Sequence, residues 1–70
     1  METYIVIELQ TMEDGKVANL VTQHASRAEA ESKFFTVLAA AAVSDLPCHA
    51  AALMTSTGTA IESRFYKRGD

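Results

Sequence analysis

One cysteine, one proline and three scattered glycines stand in a chain of 70 residues, and each scarcity excludes something. Cys48, being alone, rules out a disulfide within the chain. Gly15, Gly58 and Gly69 are isolated, so no glycine-rich loop is present to cradle a phosphate. Basic residues are also few. Six Lys and Arg against nine Asp and Glu leave a net charge of −3. That balance excludes a general binder of extended nucleic acid, which needs a basic stripe. The apolar run FFTVLAAAAV is ten residues long, about half of the roughly 20 that a membrane-spanning helix needs. The opening METYIVIELQ carries an acid at position 2 and no basic segment, unlike a secretory signal. A free cysteine without such a signal fits a reducing cytoplasm.

What is present is apolar. Hydrophobic residues make up 49% of the chain, an ordinary share for a larger domain. Residues 1–70 have room for one small domain only. A chain this short buries about 60% of its unfolded surface, and its core supplies no more than about 3–5 kcal/mol. With no disulfide to help, some of the apolar surface is expected to meet another copy of the chain.

Residues 3–12 alternate: Ile5, Ile7 and Leu9 share one face, and Tyr4, Val6, Glu8 and Gln10 the other. Period two with β-branched residues predicts a strand. Asp14-Gly15 then predicts a hairpin turn. A second strand from about Lys16 to Gln23 is apolar on both faces, which suggests burial on both sides. Ser26 with Glu29 fits a capping box, so a helix is expected from Arg27 to about Val43. Ala30, Phe34, Val37, Leu38 and Ala41 form its core stripe. Pro47 forces the chain out of the helix before it. CHAAALMT (48–55) and AIESRFYK (60–67) read as two more strands around a turn at Gly58. The predicted fold is therefore α+β: a ββαββ two-layer sandwich with one helix on a four-stranded, mainly antiparallel sheet. The uncovered sheet face is expected to carry Tyr4, Val6, Tyr66 and Met54.

Catalytic signatures are missing. His24, Cys48 and His49 are the candidate metal ligands, but Cys48 and His49 are adjacent and point to opposite sides of a strand. The reading is a buried cysteine beside an exposed histidine, with no metal and no cofactor. Glu29, Glu31 and Asp45 read as capping and solvated charges rather than paired catalytic carboxylates. The last strand offers more. Arg64, Tyr66 and Arg68 are expected on one face, with Lys67 and Tyr4 nearby, as a site for a small anionic nucleotide. A charged edge strand that discourages aggregation is the plainer explanation of the same residues. A second stripe on the helix, Ala28, Phe35, Ala39 and Ala42, is left uncovered by the sheet and is the expected contact between copies, with the open sheet face as the alternative.

TYIVIELQT, HASRAEAESKFFTVLAAAAVS and the ending CHAAALM…FYKRGD resemble small uncharacterised proteins of phages and prophages of gut Firmicutes. The most specific parts are EAESK (29–33) and VLAAAAVS (37–44). The resemblance carries no catalytic residues. It implies a viral accessory protein in a bacterial cytoplasm, and the missing catalytic signatures read as a non-enzymatic one. Two kinds of function suit it: an oligomeric counter-defence sponge that sequesters a nucleotide immune signal, or a structural or assembly protein of the virion or lysis region. Direct inhibition of a host enzyme is a third.

Overall fold

The four runs read as strands form strands, and the one capped run between them forms a helix. The structure, a computed structural model, describes residues 2–69. Its elements are β1 (Tyr4–Thr11), β2 (Val17–His24), α1 (Arg27–Ala42), β3 (Cys48–Thr55) and β4 (Ala60–Lys67). The strands make one open sheet in the order β2-β1-β3-β4, and every neighbouring pair is antiparallel. This is the ββαββ α+β arrangement that the alternation predicts. Among the described residues, no helix is long and apolar enough to cross a membrane.

The turns and caps follow from single residues. Gly15 has φ +87°, a conformation that costs an L-residue with a side chain about 1–2 kcal/mol. The turn closes with Met12 N–H donating to the Lys16 carbonyl at 2.8 Å. Ser26 caps α1 by accepting from the Glu29 backbone N–H at 3.2 Å, which is the serine half of the predicted box. At the other end Val43 and Ser44 donate back to Ala40 and Ala41, and Pro47 prevents a further turn. A helix of 16 residues is about 24 Å long and a strand of 8 residues about 26 Å. The helix therefore spans the sheet from end to end, and short loops suffice on either side.

The core lies between α1 and the central strands. Ala30, Phe34, Val37, Leu38 and Ala41 point down from the helix, and Val6, Ala51 and Leu53 point up from β1 and β3. Paired residues in a sheet share a face. The pairs Val6–Leu53, Glu8–Ala51 and Gln10–His49 thus lie under the helix. Ala30 and Ala51 are buried and small, which lets the two layers approach closely around Phe34.

Four expectations are corrected. Val6 and Tyr4 do not lie on the open face: Val6 is buried under α1 and Tyr4 packs against the core. Tyr66 pairs with His49 and so also takes the helix side. Ile5, Ile7 and Leu9 occupy the open face in their place, together with Met54. Alternation separates two faces without saying which one the helix covers. Second, β2 is not buried on both sides. It is an edge strand, exposed along most of its length. Third, Cys48 and His49 exchange roles, since the register puts His49 beneath the helix and Cys48 on the open face. Fourth, a bulge opposite Leu53 and Met54 breaks the alternation of β4. It turns Ile61 into the core, away from Phe65, with which it would otherwise share a face.

Candidate functional site

Two features stand out: a broad apolar face without a partner layer, and a polar pair buried beneath the helix. The face comes directly from the register. It gathers Ile5, Ile7 and Leu9 of β1, Val17 and Val21 of β2, Ala50, Ala52 and Met54 of β3 and Phe65 of β4. Leu9, Val17, Val21 and Phe65 are between 38% and 60% exposed, well above the level of a covered layer. Among the described residues, Lys67, at one corner, is the only charge that the register puts on this face.

The buried polar pair is Glu8 and His49. Their side chains are 14% and 7% exposed, and the His49 Nε2 to Glu8 Oε2 distance is 2.6 Å. Gln10 Nε2 donates to the same carboxylate oxygen at 3.0 Å. The hydrogen bond from His49 is the main reason that the Glu8 carboxyl titrates below its ordinary value. Burial opposes this shift, while Gln10 and the nearby Lys33 ammonium reinforce it. An ionised Glu8 can only accept, so His49 donates from Nε2. The other ring nitrogen, Nδ1, is buried with no partner among the described residues. Leaving such an atom unpaired costs about 1–3 kcal/mol, which a charge-assisted bond on the opposite nitrogen offsets.

Beside this pair a groove of about 230 Å³ opens between α1 and the β1–β2 hairpin. Val6 and Glu8 form its floor, Leu20, Thr22 and Val37 its sides, and the half-buried Lys33 lines it as well. β2 is an edge strand, so the groove opens to solvent there.

The nucleotide-site residues expected from the sequence are only partly brought together. Arg64 and Tyr66 do share the helix side of β4, two positions apart on an exposed strand. Arg68 is engaged elsewhere: its guanidinium makes two hydrogen bonds to the Glu13 carboxylate across the sheet end. That contact raises the Arg68 pKa and lowers that of Glu13. Lys67 lies on the opposite face from Tyr66. Tyr4 sits level with Thr55, while Tyr66 is level with His49 and Gln10. At about 3.3 Å per residue, Tyr4 is roughly 20 Å along the sheet from Tyr66.

The helix stripe Ala28, Phe35, Ala39 and Ala42 is exposed. Phe35 is held edge-on against Phe34, with ring centroids 5.5 Å apart. His24 is level with Tyr4, far from His49, so the candidate metal ligands do not converge. The Glu8–His49 pair escaped the sequence reading. A charged residue in a register position otherwise taken by core residues was its only signal. No family model, curated protein or solved structure matches this chain.

Proposed function

We propose that this chain is a non-catalytic binding module that joins copies of itself through the open sheet face and captures a small anionic nucleotide. The observation that carries assembly is the continuous apolar face around Ile7. Four strands at about 4.8 Å spacing and about 26 Å length cover roughly 500 Å². Two copies stacked face to face would bury at least about 1,000 Å², the lower bound for a specific interface. Such a contact is self-complementary, since each copy offers the same patch. The exposed helix stripe through Phe35 is a single ridge of mostly alanine and offers less area.

The finer reading is sequestration of a nucleotide immune signal inside a phage-infected bacterium. Its support is the sequence resemblance together with Lys33 and Arg64, cations without a carboxylate partner among the described residues, on the side of the sheet that assembly leaves free. Sedimentation across a range of concentrations tests the assembly. Ile7→Glu is expected to give monomers, while Phe35→Asp stays assembled. A wild-type chain that remains monomeric throughout overturns the proposal.

A further inference from the structure

The groove beneath α1 is built from unlike parts, and each part constrains what can occupy it. Its floor holds a carboxylate with one oxygen in use. Glu8 Oε2 takes the hydrogen bonds from His49 and Gln10, whereas Oε1 has no partner among the described residues. Oε1 is also not a buried unpaired atom, so it is open to solvent, on a residue that lines the groove. The carboxylate accepts and cannot donate, so an occupant must bring N–H or O–H groups to it. Lys33 imposes the opposite demand. Its ammonium acts on the Glu8 carboxylate through space but makes no ion pair within 4 Å among the described residues, which leaves its N–H donors open to an anionic group. Val6, Leu20 and Val37 give the groove apolar walls. The groove, at about 230 Å³, is smaller than the pockets of about 300–1,000 Å³ that enclose a drug-sized ligand. It therefore has room for a ring system and leaves the rest of the molecule outside.

We infer that the groove holds the base of a guanine nucleotide, with the N–H edge of the base on Glu8 Oε1, the ring between Leu20 and Val37, and the phosphate at Lys33. This rests on the nucleotide reading above and narrows it to one site and one base. The choice of guanine follows from donor order. Its N1–H and N2–H₂ are adjacent donors on one edge. Adenine flanks its amino group with a ring-nitrogen acceptor on either side, and the N3–H of uracil lies between two carbonyls. Cytosine offers a carboxylate only the single N4–H on its C5 side, one donor against guanine's two. The acceptors of adenine and uracil would face the carboxylate and repel it.

The test is an NMR titration of the full chain with GMP, guanosine, AMP, CMP, UMP and butylamine, with sedimentation of the same samples. GMP is expected to shift the signals of Val6, Leu20 and Val37, and to bind roughly tenfold or more tightly than the other three nucleotides. Glu8→Gln should weaken GMP by a similar factor. Lys33→Gln should weaken GMP but not guanosine, a comparison that decides the matter even where Glu8→Gln fails to fold. The inference is overturned if GMP leaves the groove signals unmoved, if it shifts Arg64 and Tyr66 instead, or if all four nucleotides bind alike. Butylamine that competes with GMP at equal affinity would mark the groove as a plain cation site and also overturn it. If GMP shifts Arg64 and Tyr66 alone, nucleotide capture survives and this site does not. An assembled protein that binds none of the nucleotides loses both the groove and the capture reading while keeping its assembly.

Discussion

Glu8 and His49 meet diagonally across the central β1–β3 pair, 2.6 Å apart, beneath a helix that covers them both. Each stands two residues along its strand from the other's cross-strand partner, and so on the same face of the sheet. Removing Glu8 leaves His49 desolvated and unpaired, and removing His49 leaves Glu8 with Gln10 as its one remaining side-chain hydrogen bond among the described residues, whereas removing both removes the need for pairing. Glu8→Ala or His49→Ala should each cost about 1–3 kcal/mol. The double replacement Glu8→Met with His49→Leu should cost clearly less than the single losses added together. Urea unfolding measures all of these, and simple additivity would show that the pair is not coupled.

Acid should expose the same pair. The Glu8 carboxyl titrates lower in the fold than in the unfolded chain, chiefly because of the hydrogen bond from His49. The unfolded chain thus takes up its proton first as pH falls. The stabilisation is fully present above the ordinary glutamate value of about 4.3 and is lost as pH drops through the lower folded value. Melting temperature should hold steady from neutral pH to about 5 and fall below about 4. Glu8→Gln should flatten that fall. A Glu8→Gln variant with the same acid slope as wild type would assign the loss to other carboxylates.

Phe34 and Phe35 are neighbours with opposite surroundings. The Phe34 side chain is fully buried, and Phe35 is 54% exposed. Phe34→Ala should cost about 3–5 kcal/mol, as much as a core of this size supplies. Circular dichroism should therefore show a largely unfolded chain. Phe35→Ala should keep the fold, with a loss of about 1 kcal/mol from the edge contact to Phe34. Equal effects from the two substitutions would contradict the packing described above.

Gly15 meets nothing within 4 Å of where a Cβ would stand, so crowding is not what keeps it glycine. The backbone angle does, with φ at +87°. Gly15→Val should cost about 1–2 kcal/mol and Gly15→Asn clearly less, since asparagine tolerates positive φ. Thermal melts of the two variants check this. Equal losses would point to contacts rather than backbone angle.

The strands, the helix and both turns were legible because each rests on local chemistry. Asp14-Gly15, Ser26 with Glu29, and Pro47 act within a few residues of where they stand. The helix stripe from Ala30 to Ala41 was legible for the same reason, since periodicity names the buried face of a helix. What failed was global. Ile5 and Val6 look alike in sequence, and only the pairing with Leu53 decides that Val6 is the one beneath the helix. The bulge that redirects Ile61 has no marker of its own, as no glycine or proline stands there. Tyr4 was grouped with Tyr66 because both are aromatic residues of strands, but strand order and direction put them at opposite ends. Glu8 read as one polar residue in an alternating run, and its partner lay 41 positions away.

The two edges of the sheet are guarded unequally. β4 carries a bulge, Arg64 and Lys67, all of which discourage another strand from adding to it. β2 runs Val17–His24 with no Lys, Arg, Asp, Glu, proline or glycine, and its outer row of backbone groups has no neighbouring strand. Stacking by the open face closes at a pair. Strand addition at β2 also closes at a pair, because two identical edges satisfy each other. A chain that used both would have no natural stopping point: every pair would still present two edges, and fibre length would be set by concentration alone. The sequence defends one end of the sheet against that outcome, and at the other end dilution is the only restraint.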